Sequence, residues 1–359
     1  MTTQGSARTP LYDAHVAAGA RLTHFAGYSM PLHYGSQLAE HRLVRVGAGM
    51  FDVSHMAVTD LAGDGARDFL ARVMSNDPHK ARPGRAVYTM LLNESGGVVD
   101  DVIVYGRDNG YRVVSNAATR EKVRAWFDRH AASFQVALRE RRDLALLAVQ
   151  GPQALEIFAA TQGVDVAALA PFTSLEHAGS LYARTGYTGE DGLEVILPGE
   201  QAVQLWDRLR ASGVSPAGLA ARDTLRVEAG LMLYGQDMDD ATTPLESALG
   251  WTVAWDPPSR AFLGREALAR QRAAKAARVL KGIVLTAKRI MRPGCVVQTG
   301  AGEGEITSGI FSPTLGFSIG FARIPRNAAG DCRVVIRGNP LPGRIVKLPF
   351  VRRGKQVFE

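Results

Sequence analysis

Residues 279–359 are a succession of short β-like segments, VLKGIVLT, EITSGIF, SIGFARIP, CRVVIRG and RIVKLPF, separated by Gly and Pro turns. Strands this short and this evenly punctuated bury their apolar faces only by closing on one another. The tail is therefore expected to be a small sandwich or barrel.

What precedes the tail alternates between two periodicities. Residues 56–61 (MAVTDL) read as a strand, and Ala66, Phe69, Leu70, Val73 and Met74 then recur at helical spacing until Pro78 stops the helix. Residues 85–92 and 98–105 are strand-like, 106–110 (GRDNG) make a turn, and 111–115 form the other arm of a hairpin. A helix over about 119–131 places Val123, Trp126 and Phe127 on one face. That order predicts an antiparallel sheet with helices on one side, a ferredoxin-like layout. A second α+β block opens with the apolar run LALLAV at Leu144 and passes through Gly151 into Pro152, a residue suited to a first helical turn. Strands over 181–185 and 192–197 bracket a glycine-rich loop, helices follow near 200–211 and 219–230, and 268–278 reads as a basic helix or linker.

Length and charge narrow the function. A chain of 359 residues suggests two or three domains. Its formal charge of +7 suits an anionic partner. No basic stripe is interleaved with aromatics, so nucleic acid is not expected, and a small acidic protein or a polyanionic cofactor fits better. No apolar run approaches the length of a membrane span, and residues 1–10 are polar without an apolar core, so neither a membrane anchor nor a secretory leader is expected. Cys295 and Cys332 form no CxxC pair and no HExxH occurs, so no metal is expected; the thiols read as inert, in a reducing compartment.

Common catalytic signatures are absent. There is no GxxxxGK[ST] and no GxSxG. Residues 300–304 (GAGEG) lead into a strand-like run, so they lack the helix N-terminus that a dinucleotide needs. Ser54 and His55 are adjacent, and on a strand their side chains would point to opposite faces.

Three segments carry possible chemistry. Residues 93–101 (NESGGVVDD) put Asp100 and Asp101 inside an apolar strand, where a charge is costly unless paired or used. Alternation sends one carboxylate to each face and does not say which enters a pocket. Residues 185–194 (TGYTGEDGLE) hold three glycines among three acids, either a plain tight loop or a platform where a carboxylate meets an amidine-like edge such as that of a pterin. Residues 221–230 (ARDTLRVEAG) place Arg222 and Arg226 four apart on one helical face, either ion-paired or anchoring a carboxylated cofactor.

Together and in this order, these segments resemble the glycine cleavage T-protein family. The resemblance runs almost end to end, through residues 31–36 (PLHYGS), 50–56 (MFDVSHM), 233–236 (LYGQ), 262–268 (FLGREAL), 306–309 (ITSG) and 311–316 (FSPTLG). It implies an α+β fold, a three-domain cloverleaf with ferredoxin-like α/β domains and a C-terminal jelly-roll-like β-barrel. The expected domains are 1–52 with 146–250 (discontinuous, folate-binding), 53–145 (ferredoxin-like), a linker over 251–278, and the barrel over 279–359. A cytoplasmic location is expected from the polar start and the Ala/Arg-rich composition. The implied activity is that of an aminomethyltransferase of glycine catabolism. It moves a methylene carbon from the lipoyl arm of H-protein to tetrahydrofolate, with release of ammonia. By position, Asp100 matches the family's key acid, Tyr88 and Asn116 match pocket positions, and Met56 lies in a matching motif. Glu194 matches the carboxylate that anchors the pterin, with Tyr187 nearby. Arg222 matches a folate-binding arginine, Arg226 is an alternative on the same face, and Arg352 is a further candidate. Related folate units fused to flavin domains do not fit this length. Sulfur-compound demethylases of the superfamily remain an alternative, and the non-catalytic folate-binding branch carries a cysteine signature that residues 262–266 lack.

Overall fold

A computed structural model describes residues 5–359, so the first residues of the polar start lie outside the described residues. The chain forms two compact units. One comprises Met1–Phe69, Pro78–Tyr88 and Val102–Asp223, the other Leu70–Asp77, Thr89–Asp101 and Thr224–Glu359.

The first unit begins with α1 (Tyr12–Ala17) and the hairpin β1 (Arg21–Phe25) and β2 (Tyr28–His33). Helix α2 (Gln37–Val46) starts at Ser36, whose hydroxyl accepts from the Ala39 N–H at 3.3 Å, a standard N-cap. Then come β3 (Gly49–Asp52), β4 (Ala57–Ala62), α3 (Ala66–Val73), β5 (Ala86–Leu92), β6 (Val98–Arg107), β7 (Gly110–Ser115), α4 (Arg120–Ala131) and β8 (Ala137–Glu140). Strands β5-β6-β7-β4-β8 form one sheet in that order. Without β5 the order is the ferredoxin-like one expected, and β5 adds an edge strand. The last residues of α3 and β5 and the first of β6 belong to the second unit. Phe69 of α3 and Phe127 of α4 meet edge to face, 5.6 Å between centroids.

The other sheet of this unit is built on β9 (Leu144–Gln150), followed by α5 (Ala154–Gln162), β10 (Ser174–His177), β11 (Ser180–Ala183), β12 (Gly192–Pro198), α6 (Gly199–Ala211) and β13 (Ser215–Pro216), with strand order β10-β11-β12-β9-β3-β13. Every residue of β9 is buried, which explains why its sequence is continuously apolar rather than alternating. Leu147 and Val149 pack with Phe158 of α5, Trp206 of α6 and Val195 of β12 in one core.

Helix α7 (Leu219–Glu228) passes from the first unit into the second at Asp223. The second unit then contains α8 (Arg265–Ala274), so most of the basic stretch is helix. Strands β14 (Arg278–Leu285), β15 (Val296–Thr299), β16 (Gly302–Phe311), β17 (Ser318–Pro325), β18 (Asp331–Ile336) and β19 (Asn339–Val346) close a barrel in the order β14-β17-β16-β15-β18-β19. The sandwich-or-barrel alternative thus resolves as a barrel, filled by Ile283, Leu285, Ile306, Ile324 and Val334. A short hairpin, β20 (Val351–Arg352) and β21 (Lys355–Gln356), ends the chain. Both cysteines are free, and burial pushes the Cys332 thiol up to about 11, where it is protonated at neutral pH. No described helix is long and apolar enough to cross a membrane.

A buried ionic lock fastens α7 to the barrel within the second unit. The Arg226 guanidinium donates to Asp237 at 2.7 Å, to Gln236 at 3.0 Å and to the Ser308 hydroxyl at 2.9 Å. A register shift in β16 lets the successive residues Thr307 and Ser308 both donate to Asp237, which a regular strand would not allow. Removing one partner of a fully buried pair strands the other charge. Asp237→Ala is therefore expected to cost about 3–5 kcal/mol of stability in urea unfolding, and a loss below about 1 kcal/mol would contradict this reading of the lock.

Candidate functional site

The glycine-rich loop between β11 and β12 is held by side chains from outside it. The Gln150 amide, buried at the end of β9, donates to the Thr185 carbonyl at 3.1 Å and accepts from the Thr188 hydroxyl at 2.9 Å. Arg45 of α2 donates to the Thr188 carbonyl at 2.8 Å and to the Glu190 carboxylate at 2.7 Å. A Cβ at position 186 would run into the Gln150 amide, so the loop needs glycine there. The loop is thus tethered from two other elements, α2 and β9.

Two of the residues singled out in the sequence, Tyr187 and Glu194, lie in this loop and on the strand that follows it. Tyr187 lies under Arg222 of α7, with the guanidinium carbon 4.7 Å from the ring centroid. Glu194, on β12 and only 9% exposed, accepts from the Thr185 hydroxyl at 2.6 Å. Its cross-strand neighbours are both small, Ala183 on β11 and Ala148 on β9. A carboxylate accepting one hydrogen bond keeps capacity for more. The shielded Nη1 of Arg222 has no hydrogen-bond partner among the described residues. Burial pushes the Arg222 guanidinium down, while Glu194 and then Tyr187 oppose the fall and favour the cation. The Tyr105 hydroxyl, 3.4 Å from that of Thr185, is pushed up by burial and by the Glu194 charge.

The 52–56 turn belongs to the same unit. Asp52 accepts from the Ser54 N–H at 2.9 Å and from Thr9 at 2.6 Å and contacts the His15 ring at 2.9 Å, while Arg120 donates to the carbonyls of His55 and Met56. Burial pushes the His55 imidazole down to about 4; Asp52 opposes this, and Arg222 and Arg120 add to it. His55 is thus neutral at physiological pH, and Ser54 is spent on the Leu146 backbone. Met56 is partly exposed; so are Tyr88 on β5 and Asn116 just after β7, whose carbonyl accepts from Thr119 at 3.0 Å.

In the second unit, Asp100 is fully buried and Asp101 only partly, so the pleat sends the two carboxylates to opposite faces. The Asn93 side chain shapes the preceding turn, accepting from Ser95 and Gly97 and donating to the Asp240 carbonyl at 2.9 Å. A side chain at position 97 would collide with that carbonyl, which accounts for the second glycine. Tyr234 donates to Asp240 at 3.0 Å, and its hydroxyl is pushed up by burial, by that bond, and by the charges of Asp240, Asp100 and Asp239. The charges of three carboxylates, Asp240, Asp100 and Asp239, therefore all act on this one hydroxyl. The pair Asp239-Asp240 was visible in the sequence; its convergence with Asp100 was not. Arg226 is occupied by the lock described above, and Arg352 is exposed on β20.

Residues 11–257 match the GCVT N-terminal domain family, and residues 278–352 match the glycine cleavage T-protein C-terminal barrel domain. The chain is 52% identical over 357 residues to the aminomethyltransferase of Chromobacterium violaceum, covering 98% of this chain and 99% of that one. It is also 52% identical over 356 residues to the aminomethyltransferase of Nitrosococcus oceani, covering 97% and 95%. The crystal structure of glycine cleavage system aminomethyltransferase T from Bartonella henselae superposes with a TM-score of 0.92 at 33% identity, covering 98% of this chain and 99% of that one.

Proposed function

The chain belongs to the glycine cleavage T-protein family, and from that premise we propose that it is a tetrahydrofolate-dependent aminomethyltransferase. It takes the methylene carbon of the aminomethyl group on the lipoyl arm of H-protein and passes it to tetrahydrofolate, forming 5,10-methylenetetrahydrofolate. Ammonia and the reduced lipoyl arm are the other products.

The observation that carries the folate reading is the tethered platform: a recessed carboxylate, Glu194, flanked by alanines, with Arg222 stacked on Tyr187 beside it. Glu194 accepts two parallel hydrogen bonds from the aminopyrimidinone edge of the pterin, the geometry in which a carboxylate is most selective. Arg222, whose buried Nη1 has no hydrogen-bond partner among the described residues, binds an electron-rich or anionic group of the folate. Arg226 is committed within the fold, so Arg222 is the stronger cationic candidate of the two. Tyr88, Asn116, Met56 and Arg352 are proposed as further folate contacts on the strength of the family resemblance.

The reacting carbon lies between sulfur and nitrogen. Protonation turns the amine into ammonia as leaving group, and sulfur supports the positive charge left on carbon. N5 of the folate then bonds to that carbon, N10 displaces the lipoyl sulfur to close the ring, and the protons shed by the two nitrogens balance those taken up by the amine and the thiolate. Asp100 orients these nitrogens, stabilises the developing positive charge and accepts a proton. The net charge of +7 favours both the acidic glutamyl tail of folate and an acidic carrier protein.

Calorimetry of the wild-type protein with tetrahydrofolate tests the binding part without any turnover. Saturable uptake of one equivalent is expected; no heat of binding at millimolar ligand would contradict it.

A further inference from the structure

The loop that carries Tyr187 has no regular structure of its own to hold it, and two buried side chains from distant parts of the chain do so instead. Arg45 reaches it from α2 and Gln150 from the end of β9. The Arg45–Glu190 pair is buried on both sides, with 6% and 3% of the side chains exposed. Gln150 is fully buried, and its amide joins the loop's first residue, Thr185, to Thr188. Burying an arginine, a glutamate and an amide is costly unless their bonds serve a defined geometry. Here they pin both sides of Tyr187, so that its ring meets the Arg222 guanidinium, and they hold Thr185 where its hydroxyl reaches Glu194.

We propose that Arg45 and Gln150 are positioning residues for the folate reaction, clamping residues 185–190 so that Tyr187, Arg222 and Glu194 are set before the folate arrives. The inference rests on the reading of this platform as the pterin site. Neither residue touches substrate; each acts through the loop. A preset platform spares the ligand the ordering of its own site, so loosening the clamp weakens binding more than chemistry.

Arg45→Met keeps the length of the side chain and removes the bonds donated to Thr188 and Glu190. It is expected to raise the Kd for tetrahydrofolate by about 10- to 100-fold, while kcat at saturating folate stays within about threefold of wild type. Glu190→Gln retains an acceptor for Arg45 and is expected to bind folate within about threefold of wild type, a rescue that general loss of stability would not produce. Gln150→Leu should reproduce the Arg45→Met defect, and it serves in place of Arg45→Met if that variant does not fold. All are compared at a temperature well below each variant's measured Tm. Wild-type affinity in a folded Arg45→Met or Gln150→Leu protein overturns the clamp while leaving the pterin site standing. Failure of the wild-type protein to bind tetrahydrofolate overturns the pterin site itself.

Discussion

Asp100→Asn is expected to lower turnover by about 10²–10⁴, the range for losing one acid–base group, while the protein stays folded and still binds tetrahydrofolate. Asn fills nearly the same volume in the strand, so packing of β6 is preserved. What it lacks is the negative charge, and with it the ability to accept a proton or offset positive charge on the folate nitrogens. Tyr234, Asp239 and Asp240 lie close enough to share the potential, but Tyr234 already donates to Asp240. Those groups are therefore not expected to replace Asp100. Steady-state assay at saturating folate, with Kd measured separately, checks this. A folded Asp100→Asn protein with near wild-type kcat would remove Asp100 from the chemistry.

Glu194→Ala should show the opposite pattern. Removing the carboxylate deletes the acceptor for the pterin edge and leaves Arg222, which Glu194 now helps to keep charged, without its counter-charge. Losing charge-assisted bonds in a recessed site is expected to cost about 2–4 kcal/mol, roughly a 30- to 1000-fold rise in Kd. Turnover at saturating folate should fall far less than in Asp100→Asn. Glu194→Gln, which keeps one acceptor, should lie between. Unchanged folate affinity in Glu194→Ala would reject the anchoring role.

The fold was largely legible because its periodicities are clean. The continuous run LALLAV read as a buried strand and is one, flanked on both sides as β9. The regular turns of the tail read as a closed β domain and close as a barrel. The missed strands have a common cause: β10 (SLEH) has one apolar residue in four, and β15 (VVQT) is equally short, so neither has enough alternation to register against its surroundings. Of the two readings of the basic stretch, helix or linker, most of it is the helix α8, whose start has Gly264 packed close to the carbonyl of Asn93, a contact across a wide gap in sequence.

The site was legible in its residue types and not in its pairing. Alternation placed Asp100 and Asp101 on opposite faces but offered no means of choosing between them, because the burial of Asp100 is set by its strand's neighbours. Arg222 and Arg226 looked equivalent on one helical face. They differ because Asp237, eleven residues on, and Ser308, far along the chain, hold Arg226, while Arg222 lies over the Tyr187 ring. Arg45 and Gln150 gave no local signal at all, since an arginine near a helix end and a glutamine at a strand end are ordinary on their own. Their meaning appears only when β9, α2 and the glycine-rich loop are brought together.

The most direct measurement starts from H-protein carrying an aminomethyl group labelled with carbon-13 on its lipoyl arm. With the wild-type protein and tetrahydrofolate, label should appear in 5,10-methylenetetrahydrofolate in step with released ammonia, one for one, and omission of folate should abolish formation of that product. Ammonia release at an undiminished rate without folate, or label that never reaches the folate, would contradict the account.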